Sequence, residues 1–121
     1  MILFETTLEG LPPTVNHSYR HVRNRTYKTT ACKDYQDYVT IRLLMAYQGH
    51  EVFTNPVELY ITFTSANRRR WDIDNRVKVL QDCLSRAGII KDDKQVEKLV
   101  VERFYGKINQ TKLILKARNK K

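Results

Sequence analysis

Apolar and polar residues alternate roughly from Ile2 to Leu8, the period of a half-buried strand, and Gly10 with the Pro12-Pro13 pair stops it. Thr29 or Thr30 can then cap a helix that runs to about Tyr47 and ends at Gly49. Tyr35, Val39, Leu43 and Ala46 fall at i, i+4, i+8 and i+11 and give that helix one apolar face. After Pro56 the period becomes two: Val57, Leu59, Ile61 and Phe63 alternate with polar residues through Thr64, a half-buried strand. A second helix is predicted from Asp74-Asn75, good capping residues, with Val77, Leu80, Leu84 and Ala87 on one face and Gly88 as its stop. Val96–Tyr105 and Lys112–Ala117 read as strands joined by a turn around Gly106–Gln110. The order strand, basic loop, helix, strand, helix, strand, strand predicts an α+β domain, with two helices packed on a mixed, mostly antiparallel β-sheet.

The chain has 121 residues, which leaves room for a single domain over 1–121 and one hydrophobic core. The start, MILFETTLEG, has no basic region and meets Glu5 after three apolar residues, so it does not read as a signal peptide. No apolar run approaches the ~18 residues of a spanning helix, so no membrane is expected. Cys32 and Cys83 are too few for a disulfide framework, have no CxxC spacing, and are not matched at ligand spacing by His17, His21 or His50. These features predict a reduced, cytoplasmic protein without structural metal.

Charge changes the picture more. Lys and Arg number 22 against 13 acids, a formal balance of +9, and a domain this small with that excess is expected to meet a polyanion. The excess sits in three stretches. His17–Lys28 has four cations, two His, two Tyr and no acid; Asn67–Lys78 sets five cations around two aspartates; Lys107–Lys121 has six cations and no acid. The segments between are close to balanced.

The middle stretch, RRRWDIDNRVK from Arg68 to Lys78, carries the candidate chemistry. In extended backbone Asp72 and Asp74 point to the same side, ~6.5–7 Å apart, a hard-oxygen pair suited to Mg²⁺ with Mn²⁺ as a substitute. Lys78 lies one helical turn beyond Asp74, so its ammonium can return to the same place. Asp92-Asp93 follow the Gly88 stop and reach this site only if the chain, or a partner subunit, brings them there. Carboxylates that hold metal ions can activate water and stabilise the leaving oxygen of a phosphodiester, and a lysine can neutralise charge on the phosphoryl oxygens. Plainer readings stand beside this one: Asp74 as a helix cap, Asp72 paired with the Arg triplet, Asp92-Asp93 as a polar turn, Trp71 as a rim aromatic.

At these residues the sequence resembles the RusA family of Holliday junction resolvases over nearly the whole chain. Pro12-Pro13-Thr14-Val15-Asn16 with Tyr19-Arg20-His21 is similar to the family's PPxxN opening and basic, aromatic loop, and Arg25-Thr26-Tyr27 to the next block. Asp72-Ile73-Asp74-Asn75 with Lys78 resembles the DxDNxxK signature, and Ala87-Gly88-Ile89-Ile90 with Asp92-Asp93 the block that follows it. The resemblance implies a homodimeric, Mg²⁺-dependent endonuclease that nicks opposed strands of a four-way junction and leaves 5′-phosphate ends. Carried over position by position, Asp72, Asp74 and Asp93 match the family's acidic metal-binding catalytic positions and Lys78 its catalytic lysine. Asn75 matches the adjacent amide, which would orient an aspartate or a phosphate. Trp71 departs from the basic residue that often precedes the first aspartate, which suggests stacking instead of charge at that contact. Arg68, Arg69, Arg70 and Arg76, with Asn16, Tyr19, Arg20, His21, Arg23 and Arg25, are the expected DNA surface. Two alternatives remain at this point: a basic nucleic-acid-binding module without catalysis, and a relative that acts on flaps or forks.

Overall fold

The computed structural model describes residues 1–14, 19–23, 25–47 and 51–118. Four strands form one sheet: β1 (Ile2–Glu9), β4 (Val57–Ser65), β5 (Val96–Tyr105) and β6 (Gln110–Ala117), in the order β1-β6-β4-β5. β1 and β4 both pair antiparallel with β6, whereas β4 and β5 run parallel, so the sheet is mixed as its alternating patterns imply. A parallel neighbour requires a crossover, and the helix between β4 and β5 supplies it.

That helix is α2 (Val77–Arg86), preceded by a 3₁₀ turn over Ile73–Arg76; α1 (Thr30–Ala46) precedes β4. The Thr29 hydroxyl accepts from Cys32 N at 3.2 Å, the N-cap its sequence promised. Gly88, at φ +73, turns the chain beyond α2 in the left-handed conformation that suits glycine. The core forms where both helices cover one face of the sheet. Leu59, Ile61 and Phe63 of β4 and Leu113 and Leu115 of β6 are buried with Val39 and Leu43 of α1 and Val77, Leu80 and Leu84 of α2. Each such side chain removed from water stabilises the fold by about 1.5–3 kcal/mol.

Three details differ from the sequence reading. The basic loop before α1 contains a hairpin, β2 (Tyr19–Val22) paired with β3 (Arg25–Lys28) in a separate two-stranded sheet. Asp74 is not a cap: the chain enters the 3₁₀ turn through Asp72, whose side chain makes no capping bond, and Asp74 lies inside the turn. Helix α1 is apolar on a second side, where Ile41, Leu44 and Met45 stand exposed. The predicted stop at Gly49 lies outside the described residues, as does Asn16. Cys32 and Cys83 are free and buried.

Candidate active site

β4 ends at Ser65, and the segment leaving it reaches α2 through Asn67, the Arg68–Arg70 triplet and Trp71. What fixes that segment is Trp71. Its ring meets Phe63 edge-on at 5.5 Å and lies between the guanidiniums of Arg76 and Arg103, 4.6 and 5.3 Å from the ring centre. Stacks of this kind contribute about 0.5–2 kcal/mol each, more as water is excluded. Arg103 Nη1 also donates to the Trp71 carbonyl, and Arg76 Nη1 to the Pro12 carbonyl. Burial lowers the Arg76 pKa from its ordinary value, with Tyr35 the opposing influence. The backbone next to Asp72 is thereby tied to β5, to α2 and to the double-proline loop. Trp71 therefore has a structural role in this segment, beside the DNA contact expected of it.

Asp72 and Asp74 are exposed. Neither carboxylate makes an ion pair with a described residue, although Arg69, Arg70 and Arg76 are close in sequence. Pairing of Asp72 with the Arg triplet, the plainer reading, does not occur. A small concavity holds Asp72 with Arg70, Trp71, Asn75 and Arg103, so the carboxylate and its neighbouring amide share one surface with two cations.

Of the other two expected catalytic residues, Lys78 shares a groove with Asp74 but pairs elsewhere, and Asp93 stands apart. Lys78 Nζ lies 3.4 Å from Asp82 Oδ2, one turn onward along α2, where the sequence reading turned it back to Asp74. Asp93 lies past the other end of the helix and accepts from Ser85 Oγ at 3.0 Å. Ten helical residues span about 15 Å, so α2 separates Asp93 from the Asp72–Asp74 pair. Among the described residues no three acidic, histidine or cysteine side chains gather to hold a metal ion. Asp92, in contrast, is a structural residue: its carboxylate accepts from Lys94 N at 3.0 Å in a capping box with Gln95. Between α2 and the edge strand β5 runs an apolar groove of about 320 Å³, floored by Val77, Leu99 and Val101 and rimmed by Asp74 and Lys78. Leu99 is 44% exposed there and Ile73 36%, high for apolar side chains at the mouth of a core.

The basic hairpin displays Arg20, His21, Arg23 and Arg25 to solvent, with His21 Nδ1 and Thr26 Oγ1 3.0 Å apart across the strands. Tyr19 opens β2. Arg68 lies over the Tyr105 ring at 5.3 Å. The sequence reading missed Arg103, Gln95, Asn67 and Asn109. A signal existed for the first: Leu99, Val101 and Arg103 share one phase of β5 and face the helices with Leu59, Ile61 and Phe63, so a charge at that inward position asks for a partner.

The chain is similar to known proteins. The family model described as Endodeoxyribonuclease RusA matches residues 9–116. The crossover junction endodeoxyribonuclease RusA of Shigella sonnei (strain Ss046) is 38% identical over 85 residues, which is 70% of each chain. Those of Escherichia coli (strain K12) and Enterobacteria phage 82 are 36% identical over the same shares. The family model and these relatives together establish that the chain belongs to the RusA family of endodeoxyribonucleases.

Proposed function

We propose that the protein is a crossover junction endodeoxyribonuclease that, as a homodimer dependent on Mg²⁺, nicks opposed strands of four-way DNA junctions in recombination and repair within the cytoplasm. The observation that carries this reading is a pair of exposed carboxylates, Asp72 and Asp74, that stay unpaired inside a strongly basic surface. Unpaired acid in the path of DNA repels the substrate unless a cation sits on it, and an all-oxygen donor set suits Mg²⁺, with Mn²⁺ as a substitute. When bound, the ion would polarise the scissile phosphate and lower the pKa of an attacking water.

The chain's own residues do the rest. Asp72 and Asp74 hold the ion from one protomer. Asp93 belongs to the same set but lies across α2, and a two-fold axis near the middle of that helix would lay two copies of α2 antiparallel and bring the partner's Asp93 to Asp74. The apolar groove beside Asp74 gives a second copy a surface to cover. Lys78 exchanges Asp82 for a phosphate oxygen and offsets charge as the bond breaks. Asn75 orients Asp72 or the phosphate, while Arg68, Arg70, Arg76 and the hairpin arginines bind backbone phosphates. Two copies of one site match the two strands of a junction.

Strand cleavage of a labelled four-way junction beside a linear duplex, with Mg²⁺ or EDTA, tests the reading. Paired nicks on the junction that need metal are expected. Tight binding with intact DNA in Mg²⁺ would instead assign a binding module, and cleavage confined to flaps or forks would assign a different branched substrate.

A further inference from the structure

Beside Trp71 lies a larger open cavity, about 470 Å³, lined by neither aspartate of the catalytic pair. That volume is within the ~300–1,000 Å³ of ligand clefts, room for a sugar–phosphate unit and not only a bare ion. The segment leaving β4 lines it with Asn67, Arg69 and Arg70, the 3₁₀ turn with Arg76, and the β5–β6 turn with Asn109. Backbone donors orient the two amides. Ala66 N donates to Asn109 Oδ1 at 2.7 Å, and Arg69 N donates to Asn67 Oδ1 at 2.9 Å. Only the amide oxygen can accept those bonds, so each Nδ2 group is left with its two hydrogens to give.

Ser65 has no hydrogen left to give. Its hydroxyl donates to Asn67 O at 2.8 Å and accepts from Asn67 N at 3.3 Å. No carboxylate lines the cavity, and Arg69 and Arg70 make no ion pair with a described residue. The side-chain hydrogens left to give come from two amides and three cationic groups, and no anionic group faces them. The complementary ligand is an anion rich in acceptor oxygens.

We propose that this cavity is a phosphodiester subsite: Asn67 and Asn109, with Arg69 and Arg70, hold a phosphate of the cleaved strand within two nucleotides of the scissile one. The assignment rests on the nuclease reading for what strand lies there. Arg70 and Trp71 line both this cavity and the concavity holding Asp72, so one strand can run from one to the other. From Arg70 to Asp72 the extended chain advances about 6.6 Å, a step comparable to one nucleotide of stretched backbone. The subsite would pin the strand so that the next phosphate meets Asp72. Amide donors act at hydrogen-bond range, so this contact differs from the diffuse attraction of the surrounding arginines.

The test reads junction binding in EDTA, where cleavage plays no part. Asn109→Asp keeps an oxygen for Ala66 N and turns the donor into a carboxylate oxygen. Asn55→Asp adds the same charge near the other end of β4, roughly 25 Å away by strand rise. Asn109→Asp is expected to weaken binding about ten-fold or more, the size of a lost hydrogen bond to a charged group. Asn55→Asp should cost about two-fold or less, since salt screens a distant charge. A single methylphosphonate, placed in turn at each phosphate within two nucleotides of the cut, should weaken the parent protein at one position and leave Asn109→Asp unaffected there. Equal effects of the two aspartates, or phosphonate losses identical in both proteins, would overturn the subsite. Asn67→Asp repeats the test from the other side of the cavity if Asn109→Asp does not fold. A parent that binds as expected but never cuts in Mg²⁺ would sink the nuclease reading, and the Asn109→Asp loss would then mark a phosphate contact without a scissile neighbour.

Discussion

Gln95 makes four hydrogen bonds with one amide. Its Oε1 accepts from Lys91 N and Asp92 N at 2.7 and 3.0 Å, and its Nε2 donates to the Phe53 and Asn55 carbonyls at 2.7 and 3.0 Å. The loop that carries Asp93 is therefore tied to the strand entering β4 through a single side chain. Gln95→Ala is expected to cost about 2 kcal/mol of stability, read from urea unfolding, because it leaves backbone groups unsatisfied. It should also weaken Mg²⁺ binding by displacing Asp93, which calorimetric titration checks. Asp74→Asn should abolish cleavage and retain or tighten junction binding, since it removes a negative charge that faces phosphate; loss of both together would make Asp74 a structural residue. Lys78→Ala should lower kcat about 10–100-fold and affinity much less. Spacing in the sequence put Asp72 and Asp74 on one extended stretch, whereas Asp74 lies inside a 3₁₀ turn and lines a different concavity from Asp72. Spacing also put Lys78 beside Asp74, with which it rims one groove, but did not foresee that Asp82, equally one turn away, competes for the ammonium. The Gly88 stop already placed Asp93 beyond the far end of α2, and the structure keeps it there.

At the scale of elements the strands were legible: β4 and β5 begin and end within a residue of the predicted spans, and β6 begins two residues earlier than expected. The hairpin was not, because its outward residues are charged on both faces and leave no alternation to read. The seam between α1 and α2 makes a sharper prediction. Cys83 is buried there, and its thiol donates to the Gln36 carbonyl at 3.9 Å. Burial pushes its pKa up to about 12, so almost no thiolate exists at pH 8. Ellman's reagent should leave the native protein's Cys83 unmodified and react with it once denaturant opens the seam. The β5–β6 turn offers a second test. A Cβ on Gly106 would lie 2.6 Å from the Thr64 methyl, so Gly106→Ala should destabilise the turn that carries Asn109. Thr64→Ser removes that methyl, and the pair of changes should recover most of the loss in a double-mutant cycle.

For the whole molecule, mixed dimers separate the two ways of completing the acid cluster. Asp74→Asn and Asp93→Asn are each expected to be inactive alone. If Asp93 serves the neighbouring site, a dimer with one copy of each rebuilds one intact site, and single nicks should return on mixing. If each chain uses its own Asp93, both sites stay broken and no activity returns. Junction affinity should also fall linearly with the logarithm of salt concentration, the mark of phosphate contacts that release counterions.

Helix α2 then acts as a spacer as well as a piece of core. With 3.6 residues per turn, inserting one residue would rotate Asp74 by about 100° relative to Asp93 and lengthen the gap by about 1.5 Å. An insertion of seven would restore the angle and add about 10 Å. In the proposed dimer only a narrow range of helix lengths would let two facing copies close both sites at once, and the length of α2 would set the distance between the two cuts.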